Sequence, residues 1–193
     1  MLKDQLTKIY VNSLIGNAND PSEYPNLLGT QYVVSTKNGL TLTKQGRNQF
    51  KVVFTGGTYD LLHTGHLRTL EEAKSLGDVL VVVIARDATA SKRKRVPFQN
   101  ENERLKLVDS LGIVDVAILG DEVDHLKSVE RVKPDIIAIG ADQNYDEQKL
   151  LRTIHQRGLS NVEIQRLNSD YEGLSTTKLI KKIVERYCKI EEV

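Results

Sequence analysis

From residue 51 onward, short apolar runs rich in Val and Ile alternate with longer amphipathic stretches. The apolar runs predict buried strands, and the stretches between them predict helices. Strands are expected at 51–55, 79–85, 114–119, 135–139 and 162–167, and helices at 65–76, 101–111, 122–132, 146–156 and 175–187. Strands that are apolar along their whole length and alternate with helices are typical of a parallel sheet covered on both faces. The pattern predicts a doubly wound, Rossmann-like α/β domain with a five-stranded parallel sheet.

The first 48 residues differ from the rest in their patterning. An amphipathic helix is predicted from the spacing of Leu2, Leu6, Ile9, Tyr10 and Leu14. Two short strands, at 31–35 and 40–43, flank Asn38-Gly39, which is a strong hairpin signal. A helix followed by a hairpin is similar to part of a winged-helix domain. We therefore predict a small α+β accessory segment at 1–48, partly winged-helix-like, and a main domain at 49–193.

Composition narrows the classes of protein that remain. Lys and Arg total 27 against 26 Asp and Glu, so the net charge of +1 does not favour a nucleic-acid or anionic-membrane partner. The single cysteine, Cys188, excludes an intrachain disulfide framework and a multi-cysteine zinc site. It fits a reducing compartment, and neither a signal peptide nor a membrane span is predicted. The expectation is a cytoplasmic protein.

A glycine-rich turn carrying two histidines follows the first strand of the main domain. The stretch from Thr55 to Leu67 reads TGGTYDLLHTGHL, and His63 and His66 stand at the start of the next helix. Glycines permit a tight turn, and a helix amino terminus favours an anion, so this arrangement predicts phosphate binding. A metal site is the alternative, but only Asp60 could supply a third ligand, so no metal site is predicted.

A hydroxyl cluster opens the last predicted helix. Ser175, Thr176 and Thr177 could present side-chain hydroxyls and helix amides to phosphates. For Ser175 alone, a plain N-cap is an equally good interpretation.

Two motifs together resemble a known superfamily. GGTYDLLHTGHL resembles the first signature of the HxGH nucleotidyltransferases, a cytidylyltransferase-like superfamily, and the stretch from Gly173 to Lys178 is similar to the second. The resemblance covers about residues 50–187. It implies transfer of a nucleotidyl group from a nucleoside triphosphate to a phosphorylated acceptor, with release of pyrophosphate. It also implies Mg²⁺ or another divalent cation, which phosphates and water would mainly hold.

The resemblance also implies roles for individual residues. His63 and His66 would be catalytic. Nucleotide binding would fall to Thr58, Tyr59, Thr64, Gly65, Asp142, Tyr171 and the Ser175–Thr177 cluster. Acceptor or phosphate contacts would come from Asp60, Lys92, Arg93, Lys94 and Arg104. The run from Lys92 to Arg95 could instead be a solvated loop, and Arg104 could form surface ion pairs on its helix.

Within the superfamily, the sequence is most similar to the archaeal-type FAD synthases. The loop from Asp142 to Glu147 and the turn Ala85-Arg86-Asp87 carry this likeness, which implies ATP and FMN as substrates. The alternative is the glycerol-3-phosphate cytidylyltransferases, which use CTP and share the second signature. Those enzymes have an arginine where this chain has Asp170. A homodimer is expected, since small members of the superfamily are often dimers. A different class, a nucleotide-responsive DNA-binding regulator, would need a basic helix in residues 1–48.

Overall fold

A computed structural model of the protein describes residues 1–93, 96–141, 143–168 and 175–187, with only the backbone of Arg93. The main sheet contains β3 (Val52–Gly57), β4 (Val79–Ile84), β5 (Val116–Leu119), β6 (Ile136–Ile139) and β7 (Glu163–Arg166), and a separate hairpin contains β1 (Val33–Thr36) and β2 (Gly39–Leu42). The helices are α1 (Leu2–Leu14), α2 (Lys44–Arg47), α3 (Thr64–Ser75), α4 (Asp87–Arg93), α5 (Glu101–Asp109), α6 (His125–Val132), α7 (Glu147–Gln156) and α8 (Thr176–Tyr187).

The five strands of the main sheet are parallel and lie in the order β5-β4-β3-β6-β7. The chain therefore moves outward from β3 on one side and then returns to β3 on the other. This order confirms the predicted Rossmann-like, doubly wound sheet. Its topological switch point lies between β3 and β6, and ligands of such sheets bind there, beyond the carboxyl ends of the strands.

Alternate residues of β3, β4, β5 and β6 pack into two apolar layers. Val52 and Phe54 face the layer that contains apolar residues of α6 and α7, whereas Val53 faces the layer that contains residues of α3 and α5. Both layers are built mainly from buried Val, Ile and Leu side chains. This burial on both faces explains why the central strands are apolar throughout.

One helix begins later than the sequence predicts, and another helix was not predicted at all. The helix predicted over 122–132 begins only at His125, because the carboxylate of Asp121 accepts the amides of Val123 and Asp124 in a turn, and Asp124 then caps the helix through the amide of Leu126. Residues 87–93, for which no helix was predicted, form α4. The expected basic loop is therefore helical through Arg93.

The accessory segment packs against the main domain through a shared core. The buried face of α1 consists of Leu6, Ile9, Tyr10 and Leu14, which belong to one apolar cluster with residues of the sheet and of α6. The hydroxyl of Tyr10 donates to the carbonyl of Val132 at 2.7 Å. Burial raises the pKa of Tyr10 well above its usual value, so the phenol remains a donor at physiological pH.

Polar contacts attach the segment to the amino ends of the central strands. The Arg47 guanidinium donates to the Asp135 carboxylate and to the carbonyl of Lys133, each at 2.9 Å. The same carboxylate accepts the amide of Val52 at 2.7 Å. Lys3 pairs with Asp78 at 2.9 Å. Because Asp78 precedes β4 and Asp135 precedes β6, the segment lies at the amino ends of the strands, opposite the predicted site.

The segment is α+β, as expected. Between α1 and the β1–β2 hairpin, residues 15–32 form two single-turn 3₁₀ segments, Pro21–Glu23 and Pro25–Leu27, in place of a recognition helix. The apolar face of α1 is buried in the core that this segment shares with the main domain. Within the described ranges, no helix is both long and apolar enough to cross a membrane.

The shared core predicts that the segment and the main domain unfold together. Ile9 is fully buried, so we expect Ile9→Ala to lower the free energy of unfolding by about 2–5 kcal/mol. Urea unfolding followed by circular dichroism should show one transition moved to lower urea. Ile15→Ala is the control, because Ile15 is 47% exposed and should change the midpoint little. Two separate transitions, with only one moved by Ile9→Ala, would contradict the prediction and favour independent domains at 1–48 and 49–193.

Candidate active site

The loop between β3 and α3 turns tightly around the ring of Tyr59. A Cβ atom added to Gly57 would lie 2.7 Å from Cε2 of Tyr59, so glycine is needed where the ring folds back. Tyr59 is buried and has a φ of 51°, a region that bulky residues rarely adopt. Backbone strain of this kind is concentrated at functional sites, where the surrounding structure must hold it. Residues 57–63 thus form a constrained loop at the carboxyl end of β3.

Two imidazole rings stack at the amino end of α3. The ring centroids of His63 and His66 are 3.9 Å apart with 20° between the ring planes. The ring of Tyr59 lies 5.3 Å from that of His66. His63 is the residue before the first turn of α3, where the helix dipole and the amino-terminal amides favour an anion. The structure therefore brings the two predicted histidines together at a position suited to phosphate.

The surroundings of His63 favour its neutral form in the free protein. Burial lowers the pKa of His63 below its ordinary value of 6.5, because a low dielectric disfavours the imidazolium ion. Its Nδ1 atom is buried and has no hydrogen-bond partner among the described residues. A phosphate group beside this ring would favour protonation, so anion binding and proton uptake at His63 reinforce each other.

The remaining residues of the first motif surround the histidine pair. Thr64 and Gly65 are the first two residues of α3, with Thr64 exposed, and Thr58 is half-buried in the preceding loop. Their backbone groups lie where phosphate oxygens would meet the helix end. The nucleotide contacts of these three residues stay predictions.

Asp60 has a different role from the predicted phosphate contact. Its side chain is buried, and its Oδ1 atom accepts the amides of Phe98 at 2.8 Å and Gln99 at 3.0 Å. A carboxylate that accepts two amides from another segment fixes that segment in place. Its negative charge would also repel phosphate. We therefore correct the assignment: Asp60 anchors the loop at 96–100.

Arg104 is likewise not the surface or phosphate-contacting residue that the sequence predicted. Its side chain is 0% exposed, and its guanidinium lies among backbone carbonyls of three segments. It donates to Thr58, Ala85 and Gln99, at 2.5, 2.8 and 3.0 Å, and pairs with the Asp87 carboxylate at 2.6 Å. Because these partners use its donors inside the protein, Arg104 positions the loops rather than binding phosphate directly.

A second group of ion pairs extends this network and was missed by the sequence analysis. The Arg86 guanidinium donates to Glu101 at 2.6 Å and to the carbonyl of Gly120 at 2.9 Å. Glu101 also accepts the amide of Asp87, and this hydrogen bond together with Arg86 lowers the pKa of Glu101. The end of β4, the start of α5 and the end of β5 are thereby connected. Only the position of Arg86 directly after an apolar strand signalled such a role.

The basic run is only partly described. Lys92 is exposed in the last turn of α4, and the backbone of Arg93 ends that helix. Lys94 lies outside the described residues, as does Arg95. The predicted phosphate contacts of Lys92, Arg93 and Lys94 therefore stay predictions.

The loop after β6 is attached to the strands on both sides of it. The side-chain Nε2 atom of Gln143 donates to the carbonyl of Gly56 at 2.8 Å, and the side-chain Oε1 atom accepts the backbone amide of Gly140 at 3.2 Å. The guanidinium of Arg166, at the end of β7, donates to the carbonyls of Gly140, Gln143 and Tyr145. Neither anchoring role was predicted. Asp142, the predicted nucleotide contact in this loop, lies outside the described residues.

The second motif begins α8 as expected. Ser175 accepts the amide of Lys178 at 3.2 Å, which is N-cap geometry, so the plain capping interpretation of Ser175 is confirmed. Thr176 and Thr177 occupy the first turn that this cap stabilises. Tyr171 and the rest of 169–174 lie outside the described residues. Phosphate contact by the hydroxyl cluster stays a prediction.

The residues present do not form a cation cage of their own. Across the described parts of the chain, no three His, Cys, Asp or Glu side chains are grouped so as to hold a metal ion. A divalent cation that arrives coordinated by the phosphates of its nucleotide fits this donor set, since such ions keep water and phosphate ligands and need few protein groups.

Comparison with known proteins agrees with this arrangement. A family model described as cytidylyltransferase-like matches residues 54–182. The chain is 47% identical to the FAD synthase of Ferroglobus placidus over 135 residues, which cover 69% of this chain and 88% of that protein. It is 51% identical to the FAD synthase of Methanobrevibacter smithii over 138 residues, covering 69% of this chain and 90% of that protein.

Solved structures show the same fold. A crystal structure of a lipopolysaccharide core biosynthesis protein from Thermoplasma volcanium superposes with a TM-score of 0.60 at 47% identity, covering 62% of this chain and 97% of that one. A protein of unknown function from Archaeoglobus fulgidus is 18% identical with a TM-score of 0.53, over 65% of this chain and 94% of that one, and this likeness concerns the fold alone. The chain is therefore a nucleotidyltransferase of the cytidylyltransferase-like family and, within it, belongs with the FAD synthases.

Proposed function

We propose that the protein transfers AMP from ATP to FMN, giving FAD and pyrophosphate. The observation that carries this proposal is the likeness to FAD synthases, at about half identity over most of their length, in a chain that contains the histidine pair. The stacked rings of His63 and His66 lie at a helix amino end beyond the carboxyl edge of the sheet, which suits a triphosphate.

The chemistry requires charge stabilisation and alignment. A phosphate oxygen of FMN attacks the α-phosphorus of ATP, the new P–O bond forms, and the bond to the β-phosphate oxygen breaks as pyrophosphate leaves. Negative charge is spread over the oxygens around the α-phosphorus and on the departing group. His63 and His66 would donate hydrogen bonds to these oxygens, most strongly in the transition state. No residue needs to form a covalent intermediate.

The remaining contacts with the nucleotide would be made at the amino ends of α3 and α8. Thr58, Tyr59, Thr64 and Gly65 would surround the α-phosphate and the adjoining nucleotide at α3. Thr176 and Thr177, in the first turn of α8, would hold the β- and γ-phosphates. A Mg²⁺ ion carried by the triphosphate would neutralise part of its charge. A homodimer and a cytoplasmic location stay predictions.

The substrates can be tested in a single competition. Purified protein with Mg²⁺ receives equal ATP and CTP together with equal FMN and glycerol 3-phosphate, and the products are separated by chromatography. We expect FAD as the dominant product, and no product when EDTA is in excess over the metal. Dominant CDP-glycerol without FAD would overturn the proposed acceptor and leave the nucleotidyltransferase class intact. Full activity in EDTA would contradict the role of the cation.

Loss of either histidine should remove most of the catalysis. We expect His63→Ala and His66→Ala each to lower kcat by at least about a hundredfold, because each removes a donor to the developing charge. Pyrophosphate release gives the rate. His155→Ala is the matched control: His155 is exposed on α7, and its loss should leave kcat unchanged. Turnover near that of the wild type in both site variants would exclude the proposed mechanism.

Arg104 should act by positioning. Arg104→Lys keeps the charge but loses the planar group that reaches several carbonyls at once. We expect the free energy of unfolding to fall by about 3 kcal/mol and kcat to fall at least about tenfold in the protein that remains folded. Urea unfolding and initial rates measure the two effects. Arg152→Lys, on the exposed face of α7, is the control. Reduced stability with an unchanged kcat would show that Arg104 does not align the site.

A further inference from the structure

The ring of Phe98 projects into solvent beside the candidate site. Its side chain is 83% exposed, although it is large, aromatic and apolar. Single exposed apolar residues are common on protein surfaces and alone need no explanation. What distinguishes Phe98 is its backbone, which is held by Asp60 and Arg104. Asp60 belongs to the loop between β3 and α3, and Arg104 contacts the same loop.

Two anchors fix the backbone at Phe98. Its amide and the next one, that of Gln99, donate to the same carboxylate oxygen of Asp60, three residues before His63. On the other side, Arg104 donates to the carbonyl of Gln99 at 3.0 Å and to that of Thr58 at 2.5 Å. The position of the Phe98 Cα atom is therefore tied to the loop that leads to the histidine pair. Only two side-chain torsions remain, so ordering this ring on a ligand costs little entropy.

We infer that Phe98 is a specificity-determining residue that stacks on the isoalloxazine ring of FMN. This inference rests on the proposed function. A planar three-ring system can cover the exposed face of a phenylalanine and remove apolar area of both groups from water. Glycerol 3-phosphate offers no planar group, so the same residue would separate a flavin acceptor from the alternative acceptor of this superfamily.

The in-line geometry of the reaction favours the flavin over adenine as the partner of Phe98. The attacking and leaving oxygens lie roughly opposite each other about the phosphorus. The proposed binding residues of the leaving pyrophosphate, Thr176 and Thr177, follow β7, which lies on the β6 side of β3. Phe98 belongs to the segment between β4 and β5, on the other side of β3. An acceptor that approaches opposite the leaving group therefore comes from the side of β3 to which the segment carrying Phe98 belongs.

The test separates acceptor binding from the chemical step. For wild type, Phe98→Ala and Phe98→Tyr, initial rates give kcat and the KM for FMN and for ATP. We expect Phe98→Ala to raise the KM for FMN about tenfold, the scale of one lost aromatic stacking contact, with kcat and the KM for ATP unchanged. Phe98→Tyr should restore the KM for FMN. Val123→Ala is the matched control, since Val123 is 92% exposed on the loop after β5.

A binding measurement supplies a second readout. Equilibrium dialysis gives the Kd for FMN, and Phe98→Ala should raise this Kd about tenfold over that of the wild-type protein, whereas Phe98→Tyr should restore it. An unchanged KM and an unchanged Kd for FMN in Phe98→Ala, or a change confined to the KM for ATP, would overturn the inference while FAD formation still supports the proposed function. Failure of the wild-type protein both to form FAD and to bind FMN would overturn both.

Discussion

One buried guanidinium holds together the segments that form the candidate site. Arg104 comes from α5, yet its partners belong to the loop after β3, the end of β4 and the loop that carries Phe98. Carbonyl oxygens from these segments all point toward one cation, and without it they would be buried without partners. The carboxylate of Asp87 balances the charge. Arg104 thereby fixes the turn at Tyr59 and the histidine pair relative to the loop that carries Phe98.

The two ends of the sheet carry different tasks. At the carboxyl ends of the strands, backbone carbonyls are bound by the side chains of Arg86, Arg104, Gln143 and Arg166. The amino ends of α3 and α8 are the positions proposed for the ligand. At the amino ends, the residues preceding the strands are occupied by the accessory segment. A change at the amino ends can therefore alter stability without displacing the groups proposed to contact substrate, whereas a change at Arg104 affects both.

The sequence predicted the parts of the fold that depend on local patterning. Apolar runs such as 79–85 identified the strands, and the turn with His63 and His66 identified the chemistry, because both signals lie within a few neighbouring residues. The roles of Asp60 and Arg104 could not be read in this way. A carboxylate next to a phosphate motif and an arginine on an amphipathic helix look the same whether they face solvent or carbonyls, and only the partners, tens of residues away, decide between the two. The helix at 87–93 was missed for a related reason, since its charged run resembles a solvated loop.

The docking of the accessory segment has a consequence for the order in which the chain folds. Tyr10 donates to the carbonyl of Val132, which is made 122 positions later. Arg47 must likewise wait for Asp135, 88 positions later. The hairpin covers part of the apolar face of α1 early, but the part that meets α6 emerges long before α6 exists, and long-range contacts of this kind close slowly. During synthesis, part of the apolar surface of α1 stays exposed until residues 132–135 have been made, and in this interval a chaperone would matter most.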